Sequence, residues 1–470
     1  MSRIPVFGLG VASKSPFVTA KVLQNMYAER RPAGEKASIV GYQTPGTTLF
    51  TNFGATPCRG GMEFDRLDVM YVVHRGTLWE VNNAGVQTNR GTLLTTTGRV
   101  SMTDNGTQVM IVDGTYGYIY NTVTNAFAQI TDVDFPANPT TVSFLAGRFV
   151  VSLSGSSRFY VSDTYNGLSW DALNFANAET SPDAINAVWE SNGQLILQGD
   201  RTTEYWGLSG AADFPFSLIQ GVATEWGLAA RWSVAKYDNT FACLIRNRMG
   251  QVMVAKVSGY LPERISNDDV DAIINGYSDV ADASAYSYML GGHPMYVINF
   301  GLGDATWLYD GSTGIWSKLK GFGINRHFAE FGFSFLNSMI VSDYADGNLY
   351  RLTKTALTDN GASIERSVTS ETVAAPDIER LTVDCFRIDV EVGVGTTSGQ
   401  GSNPQIGLEV SRDNGKTWGP QMWRTLGVKG DYGFRVEWRR LGTSYNFVFR
   451  LTVTDPVPWV LVSASVNPED

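Results

Sequence analysis

Cysteine and histidine are scarce in this chain, with three of each in 470 residues: Cys58, Cys243 and Cys385, and His74, His293 and His327. No CxxC pair, HExxH run or Cys/His cluster occurs, which argues against a zinc site and against a disulfide framework. An odd cysteine count suits synthesis in a reducing compartment. Charge is thin too. Asp, Glu, Lys and Arg make up 17% of the chain, against about 25% in an average globular protein, which argues against disorder and against a long solvated coiled coil. Basic residues are the smaller share, 36 against 46 acids for a net charge of −10, so a conventional basic nucleic-acid reader is not expected. No run of ~18 uninterrupted apolar residues exists, and no membrane-spanning segment is expected. The apolar stretch from Ile4 to Ala12 is broken by Pro5, Gly8 and Gly10 and then meets Lys14, which makes a poor signal-peptide core.

What is abundant is glycine, with 49 residues, and aromatics, at 12%. Turn formers mixed with aromatic and β-branched residues read as an all-β protein of many short strands. The length suits two domains at roughly 100–200 residues each. A hairpin recurs along the chain, each copy an apolar strand, a Gly/Asp/Asn turn and a second strand carrying an aromatic. Copies begin at Asp68, Thr107, Gly147, Asn192, Asn239, His293 and Asn337, spaced 39 to 54 residues apart. One hairpin cannot bury either face alone, whereas radial stacking buries both, and this period is that of β-propeller blades. Apolar first strands such as Val69–Val73 should lie deep, with Trp79, Tyr118, Phe159, Tyr205, Trp307 and Tyr350 packing between sheets. A β-sandwich or unrelated hairpins could use the same strands, but the sustained period favours the propeller.

The expected architecture is therefore a β-propeller of six or seven blades over 1–355, with an N-terminal arm, followed by an antiparallel β-sandwich-like domain over 356–470. The longest interval holds a short helical insertion near 262–292, opened by Ser266, Asn267, Asp268 and Asp269 and stopped by Gly276. The polar stretch from Thr355 to Pro376 marks the domain boundary. Strands are expected at Cys385–Val392, Ile406–Ser411, Phe434–Leu441 and Phe447–Thr454.

Two kinds of candidate site emerge. Ser411, Asp413, Gly415 and Trp418 match the Asp-box pattern S-x-D-x-G-x-x-W. That spacing lets Ser411 and Asp413 bond the amides of a turn, gives Gly415 the positive φ, and returns Trp418 as an apolar plug. Ser162 to Trp170 is a looser copy. Such boxes are structural locks that also occur in glycan-active propellers. With Arg3-Ile4-Pro5 they give the alternative reading, a glycan-binding or sialidase-like propeller, although no arginine cluster with a Tyr/Glu nucleophile pair is visible. Gly415-Lys416-Thr417 lacks the earlier glycine of a phosphate loop, and Gly8-Leu-Gly10 and Gly301-Leu-Gly303 lack the third glycine of a dinucleotide site. No catalytic residue, metal or cofactor is implied. The second candidate is electrostatic. Between Gly401 and Asp455, eight Lys/Arg face five Asp/Glu. A solvated sheet face is the plainer reading, and docking onto an acidic neighbour is the functional one, with Arg435, Arg439, Arg440 and Arg450 as candidate contacts.

Several segments, in collinear order, carry a family resemblance. They include Gly41-Tyr42, Thr44-Pro45-Gly46, Gly98-Arg99-Val100-Ser101-Met102, Leu145-Ala146-Gly147-Arg148-Phe149 and Ala178-Glu179-Thr180-Ser181-Pro182-Asp183. Further on come Thr203-Glu204-Tyr205-Trp206, Val436-Glu437-Trp438-Arg439-Arg440-Leu441-Gly442 and Phe447-Val448-Phe449-Arg450-Leu451. Together they cover nearly the whole chain, which resembles the packaged-DNA stabilisation (tail nozzle or tail hub) proteins of short-tailed phages. The resemblance implies a non-enzymatic virion protein, made in the bacterial host cytoplasm and forming a homo-oligomeric ring, usually a hexamer, below the portal and head–tail adaptor. Such a ring would seal packaged double-stranded DNA, pass it through its lumen without sequence-specific binding, and hold fibres, spikes or a needle.

Overall fold

Side chains alternate along a strand, and in this chain both faces find a core. In Val69–His74, Met70 and Val72 pack with Phe331 and Ile340, while Tyr71 and Val73 pack on the opposite face with Val109 and Tyr120. One strand thus serves two cores, which is why an antiparallel strand reads as an unbroken apolar run. In the computed structural model, which describes residues 2–4 (backbone only), 20–32, 37–181, 183–211, 214–375, 379–433 and 435–468, this pattern repeats around a ring. Pro5, Gly8, Gly10, Ala12, Lys14, Pro182, Pro376 and Phe434, invoked above, lie outside the described residues, as do the side chains of Arg3 and Ile4.

Seven blades make the ring, the higher of the two numbers the sequence left open; six are sheets of their own, and blade 6 runs on through Val22–Gln24 into one sheet of the second body. Blade 1 is built from Cys58–Phe64, Val69–His74, Thr77–Asn82 and Gln87–Thr92. Blades 2 to 6 follow over 101–129, 139–177, 185–218, 227–264 and 284–319. Blade 7 uses Ala329–Phe335, Ser338–Asp343 and Asn348–Thr353, but its fourth strand, Gly46–Asn52, comes from the start of the chain. That exchange ties the end of the ring to its beginning. The seam is tightened by Glu63, whose carboxylate accepts from Leu336 N (2.7 Å) and Ser334 Oγ (3.1 Å). Gly61 permits the approach, since a Cβ there would lie 2.5 Å from the Phe333 ring. The propeller has no single centre of packing. Its core is seven apolar clusters, one between each adjacent pair of blades.

The helix Asp268–Ile274 is capped by Asn267, whose side chain accepts from Val270 N, while Ser266 Oγ turns instead to Val254 N (3.1 Å). Val270 and Ile274 sink into the cluster between blades 5 and 6, which anchors the excursion.

The second body is a pair of sheets. One orders Met26–Arg30, Ile39–Gln43, Val460–Val466, Leu381–Val390 and Val436–Ser444, with Ser2–Ile4 also on Val460–Val466. The other orders Val22–Gln24, Arg366–Thr369, Asn446–Val453, Gln405–Ser411 and Met422–Thr425. Arg366–Thr369, Met422–Thr425 and Val460–Val466 were not anticipated, and the first of them lies within the polar stretch read as the domain boundary. The N-terminal arm also differs from expectation. It is not an appendage of the propeller, because Leu23, Met26 and Ala28 are fully buried against the cluster of Phe386, Trp438 and Phe449. Burial of these three apolar side chains favours drawing the strands in, at about 25 cal/mol per Å² of apolar area removed from water. Asn25, between them, fixes the joint in a left-handed conformation with φ 52°. Its side chain donates to Lys320 O and Glu365 O (both 2.9 Å) and accepts from Lys320 N (2.9 Å), so blade 6 and the sandwich share one sheet edge.

Candidate functional site

Ser411 ends a strand of the sandwich, and the chain must reverse at once to reach Met422–Thr425. The reversal is locked by the short polar side chains the motif supplies. Ser411 Oγ donates to Asp413 Oδ1 (2.7 Å) and accepts from Gly415 N (2.8 Å), and Asp413 accepts from Thr417 N (2.8 Å) and Thr417 Oγ1. Those bonds, Thr417's first, pull the Asp413 carboxyl down to about 2. Asn414 and Gly415 take positive φ, 61° and 84°. Trp418 departs from the expected plug. It is half-buried and lies under Arg450, whose guanidinium carbon sits 3.6 Å from the ring centroid. In the looser copy the roles invert. Trp170 is buried among Phe135, Phe149 and Ile119, and its Nε1 donates to Gly167 O (2.9 Å).

The candidate arginines divide between the two sheets. Arg450 lies in Asn446–Val453, opposite Glu409, and pairs with it at 3.3 Å, so its charge is used inside the fold. Arg439 and Arg440 occupy Val436–Ser444, which has no strand on its outer side among the described residues, and Arg435 is exposed just before it. Edge strands invite further pairing, and charge and bulges restrain it. Both devices occur here. Cys385 pairs with Arg439 and Val383 with Gly442, leaving a bulge at which Arg440 takes φ 60°. A left-handed arginine costs on the order of 1 kcal/mol, and the bend turns the strand away from an incoming neighbour. Glu437 is clamped by Arg439 (2.7 Å) and Arg387 (3.0 Å), whose hydrogen bonds, Arg439's first, hold it below the usual carboxylate range. Arg439 still exposes 65% of its side chain.

The residues that sequence reasoning missed lie on the adjoining edge. Arg424 Nε donates to Glu437 O (3.1 Å) and Trp438 Nε1 donates to Met422 O (2.8 Å), which stitches Met422–Thr425 to Val436–Ser444. Trp423 between them is 45% exposed. Exposed tryptophan with arginine is the composition of protein contact surfaces. The signal was the Trp423-Arg424 pair itself, hidden because the strand is only four residues long.

Residues 2–357 match the family described as bacteriophage P22 Gp10, beta-propeller, and residues 368–469 the family described as bacteriophage P22 Gp10, beta-sandwich. No curated protein matches the chain. Similar solved structures include a chain of the mitotic checkpoint complex, 11% identical over 69% of this chain and 95% of that one, with a TM-score of 0.45. Another is the extracellular domain of a hybrid two-component system from B. thetaiotaomicron, 8% identical over 80% of this chain and 44% of that one, also with a TM-score of 0.45. Likeness at that level carries no argument about function.

Proposed function

The chain belongs to the bacteriophage P22 Gp10 family, the tail nozzle or packaged-DNA stabilisation proteins of short-tailed phages, and is a structural component of the virion tail; from that premise we propose that it assembles into a ring, a hexamer, below the portal and head–tail adaptor. The ring closes the packaged genome, gives the duplex its way out and carries fibres, spikes or a needle. It does so by shape, with no chemical step, after synthesis in the host cytoplasm. The domain limits proposed for this work are 1–355 and 356–470, with the N-terminal strands crossing between them.

The observation that carries this reading is the exposed arginine edge of the sandwich in an otherwise acidic protein. A ring needs head-to-tail contacts between two different patches of each subunit. An arginine edge and an acidic propeller form such a pair, and opposite charge sets register and speeds association. Acidity also suits a conduit. Lys/Arg contacts to phosphates hold DNA tightly at low salt, whereas a net-acidic wall repels the duplex within a Debye length of about 8–10 Å.

The test is charge reversal. Arg439→Glu with Arg440→Glu is expected to weaken ring formation, or docking on the portal, at least tenfold by native mass spectrometry, with the thermal melt unchanged. Rings at the parent concentration from the reversed protein would remove the edge from the interface.

A further inference from the structure

One cavity of the propeller runs against the charge of the chain. It has a volume of about 750 Å³ and lies on the face where the chain enters its innermost strands, among blades 1, 2, 6 and 7. Four arginines line it, Arg59, Arg75, Arg99 and Arg326, against two carboxylates, Asp282 and Glu330. Arg59 is held by three carbonyls and a hydroxyl, with Nη1 donating to Arg75 O (2.9 Å) and Thr95 O (2.8 Å), Nε to Gly98 O (2.6 Å) and Nη2 to Thr95 Oγ1 (2.9 Å). Its charge therefore persists with no carboxylate bound to it. Arg326 pairs with Glu330 at 3.3 Å and stacks 3.7 Å over Tyr344.

Arg99 is different. Its guanidinium carbon lies 4.9 Å from the Trp232 ring centroid and 4.8 Å from that of Phe331, so two aromatic side chains hold it. Nη1 comes only to 3.9 Å from Glu330 Oε1, and that oxygen already accepts from Ser284 Oγ (3.0 Å). Nε and Nη1 are shielded from solvent and donate to nothing among the described residues. Desolvation pulls Arg99 down to about 10, which leaves it charged at neutral pH. On the other side, Asp282 spends Oδ2 on Leu302 N (2.6 Å) and leaves Oδ1 buried without a partner. Buried polar atoms are nearly always satisfied, so orphaned donors and an orphaned acceptor around one cavity call for a ligand that answers both. Stacking fixes the plane of a guanidinium and leaves its edge for an in-plane oxyanion.

We propose that this axial cavity binds a small hydroxylated organic acid of the acidic-sugar class, its carboxylate on the Arg99 guanidinium and a hydroxyl donating to Asp282 Oδ1. The volume falls in the range of small-molecule sites, about 300–1,000 Å³. The four cavity arginines come from four separate stretches of the chain, one of them the strand Cys58–Phe64, which is why no arginine cluster shows in the sequence. The site is independent of ring assembly and would serve a monomer equally well.

Titration calorimetry of the full chain with glucuronate and N-acetylneuraminate is expected to show saturable binding in the millimolar range or tighter by at least one of the two. Arg99→Met should weaken it tenfold or more, Arg99→Lys less, and Arg248→Met, on an outer turn, not at all. Hydrogen exchange on the unsubstituted chain gives a second readout that survives misfolding of a variant: slowing confined to 98–101, 281–284, 301–303 and 329–332 on adding the acid. No saturable heat with either acid, equal response to neutral galactose, response to pyrophosphate alone, or slowing elsewhere each overturns the proposal.

Discussion

In the propeller, save where Gly46–Asn52 closes blade 7, a strand finds its partner a turn away. Val69–His74 pairs with Thr77–Asn82, and His293–Phe300 with Ala305–Asp310. In the sandwich Gly41 pairs with Leu461, Ser2 with Val466, and Ser367 with Thr452. The first body can assemble from local hairpins, for which the entropy of loop closure is small, whereas the second must join both ends of the chain. The difference also appears in how each is held. Apolar clusters bind blade to blade, whereas the joint between the bodies adds directional polar contacts to a small apolar one, Ile315 of blade 6 in the sandwich core and Tyr27 against the cluster of blades 6 and 7. Asn25 bridges it through Lys320 of blade 6 and Glu365, and Arg30 Nη2 donates across it to Thr313 O (3.3 Å). A dry interface between blades resists sliding, and a joint of directional hydrogen bonds fixes one angle between two bodies that fold by different routes.

The largest expected effect separates the two bodies. Trp170→Ala removes a buried indole from the cluster between blades 2 and 3, and such truncations cost about 3–5 kcal/mol. Calorimetry should then show one of two transitions lowered, that of the propeller. If both fall together, the polar joint couples the bodies into one unit and the contrast drawn here fails.

That contrast also explains what the sequence disclosed. Hairpins from Asp68 onward were legible because period, turn and apolar strand lie within one window of the chain, and each of the seven marks one blade. Gly46–Asn52 was not, since nothing in Gly-Thr-Thr-Leu-Phe-Thr-Asn announces a partner three hundred residues on at Asn348–Thr353. The arm strands Val22–Gln24 and Met26–Arg30 were hidden for the same reason. The Asp box shows the limit for sites. The spacing of Ser411, Asp413 and Gly415 carries the turn, because those bonds are local, but the fate of Trp418 depends on Arg450, brought in by a distant strand. Exposure of Arg439 beside Trp423 likewise depends on which strand ends a sheet, a property of topology and not of spacing.

An intermediate effect probes the joint through pH. His327 Nε2 lies 4.0 Å from Asp359 Oδ2, where the chain leaves blade 7. Burial pushes Asp359 up to about 7, against the pull of Thr47 Oγ1 (3.2 Å) and Arg366, and pushes His327 down to about 4. Asp359 holds its proton longer folded than unfolded, so its contribution to stability falls as pH rises from about 4 to about 7. His327 refuses a proton that the unfolded chain accepts, so its contribution falls as pH drops from 6.5 to about 4. Between those limits the two slopes oppose, and the parent should be nearly flat. His327→Gln leaves the Asp359 slope, a loss of stability with rising pH of at most about 1.4 kcal/mol per unit, and Asp359→Asn leaves a slope of the opposite sign. Urea unfolding from pH 4 to 7 measures both. Two variants with the parent's flat profile would mean the pair is not buried as described.

The smallest effect returns to the two tryptophans. If a motif's worth came from its pattern, Trp418, in the better-matched box, would matter more than Trp170 in the loose one. Burial argues the reverse. The Asp413 bonds hold the turn without the indole, and what Trp418 adds is a ring beneath Arg450, an interaction of about 0.5–1 kcal/mol at a half-exposed position. Trp418→Ala is therefore expected to cost about 1 kcal/mol by urea unfolding, and Arg450→Lys about as much, since the ammonium keeps the Glu409 charge pair but loses the flat face. Their double variant should cost less than the two singles added, because each removes the same contact. A loss from Trp418→Ala equal to that from Trp170→Ala would show the indole closing the turn after all, and the sandwich would then depend on local motif chemistry as closely as the propeller does.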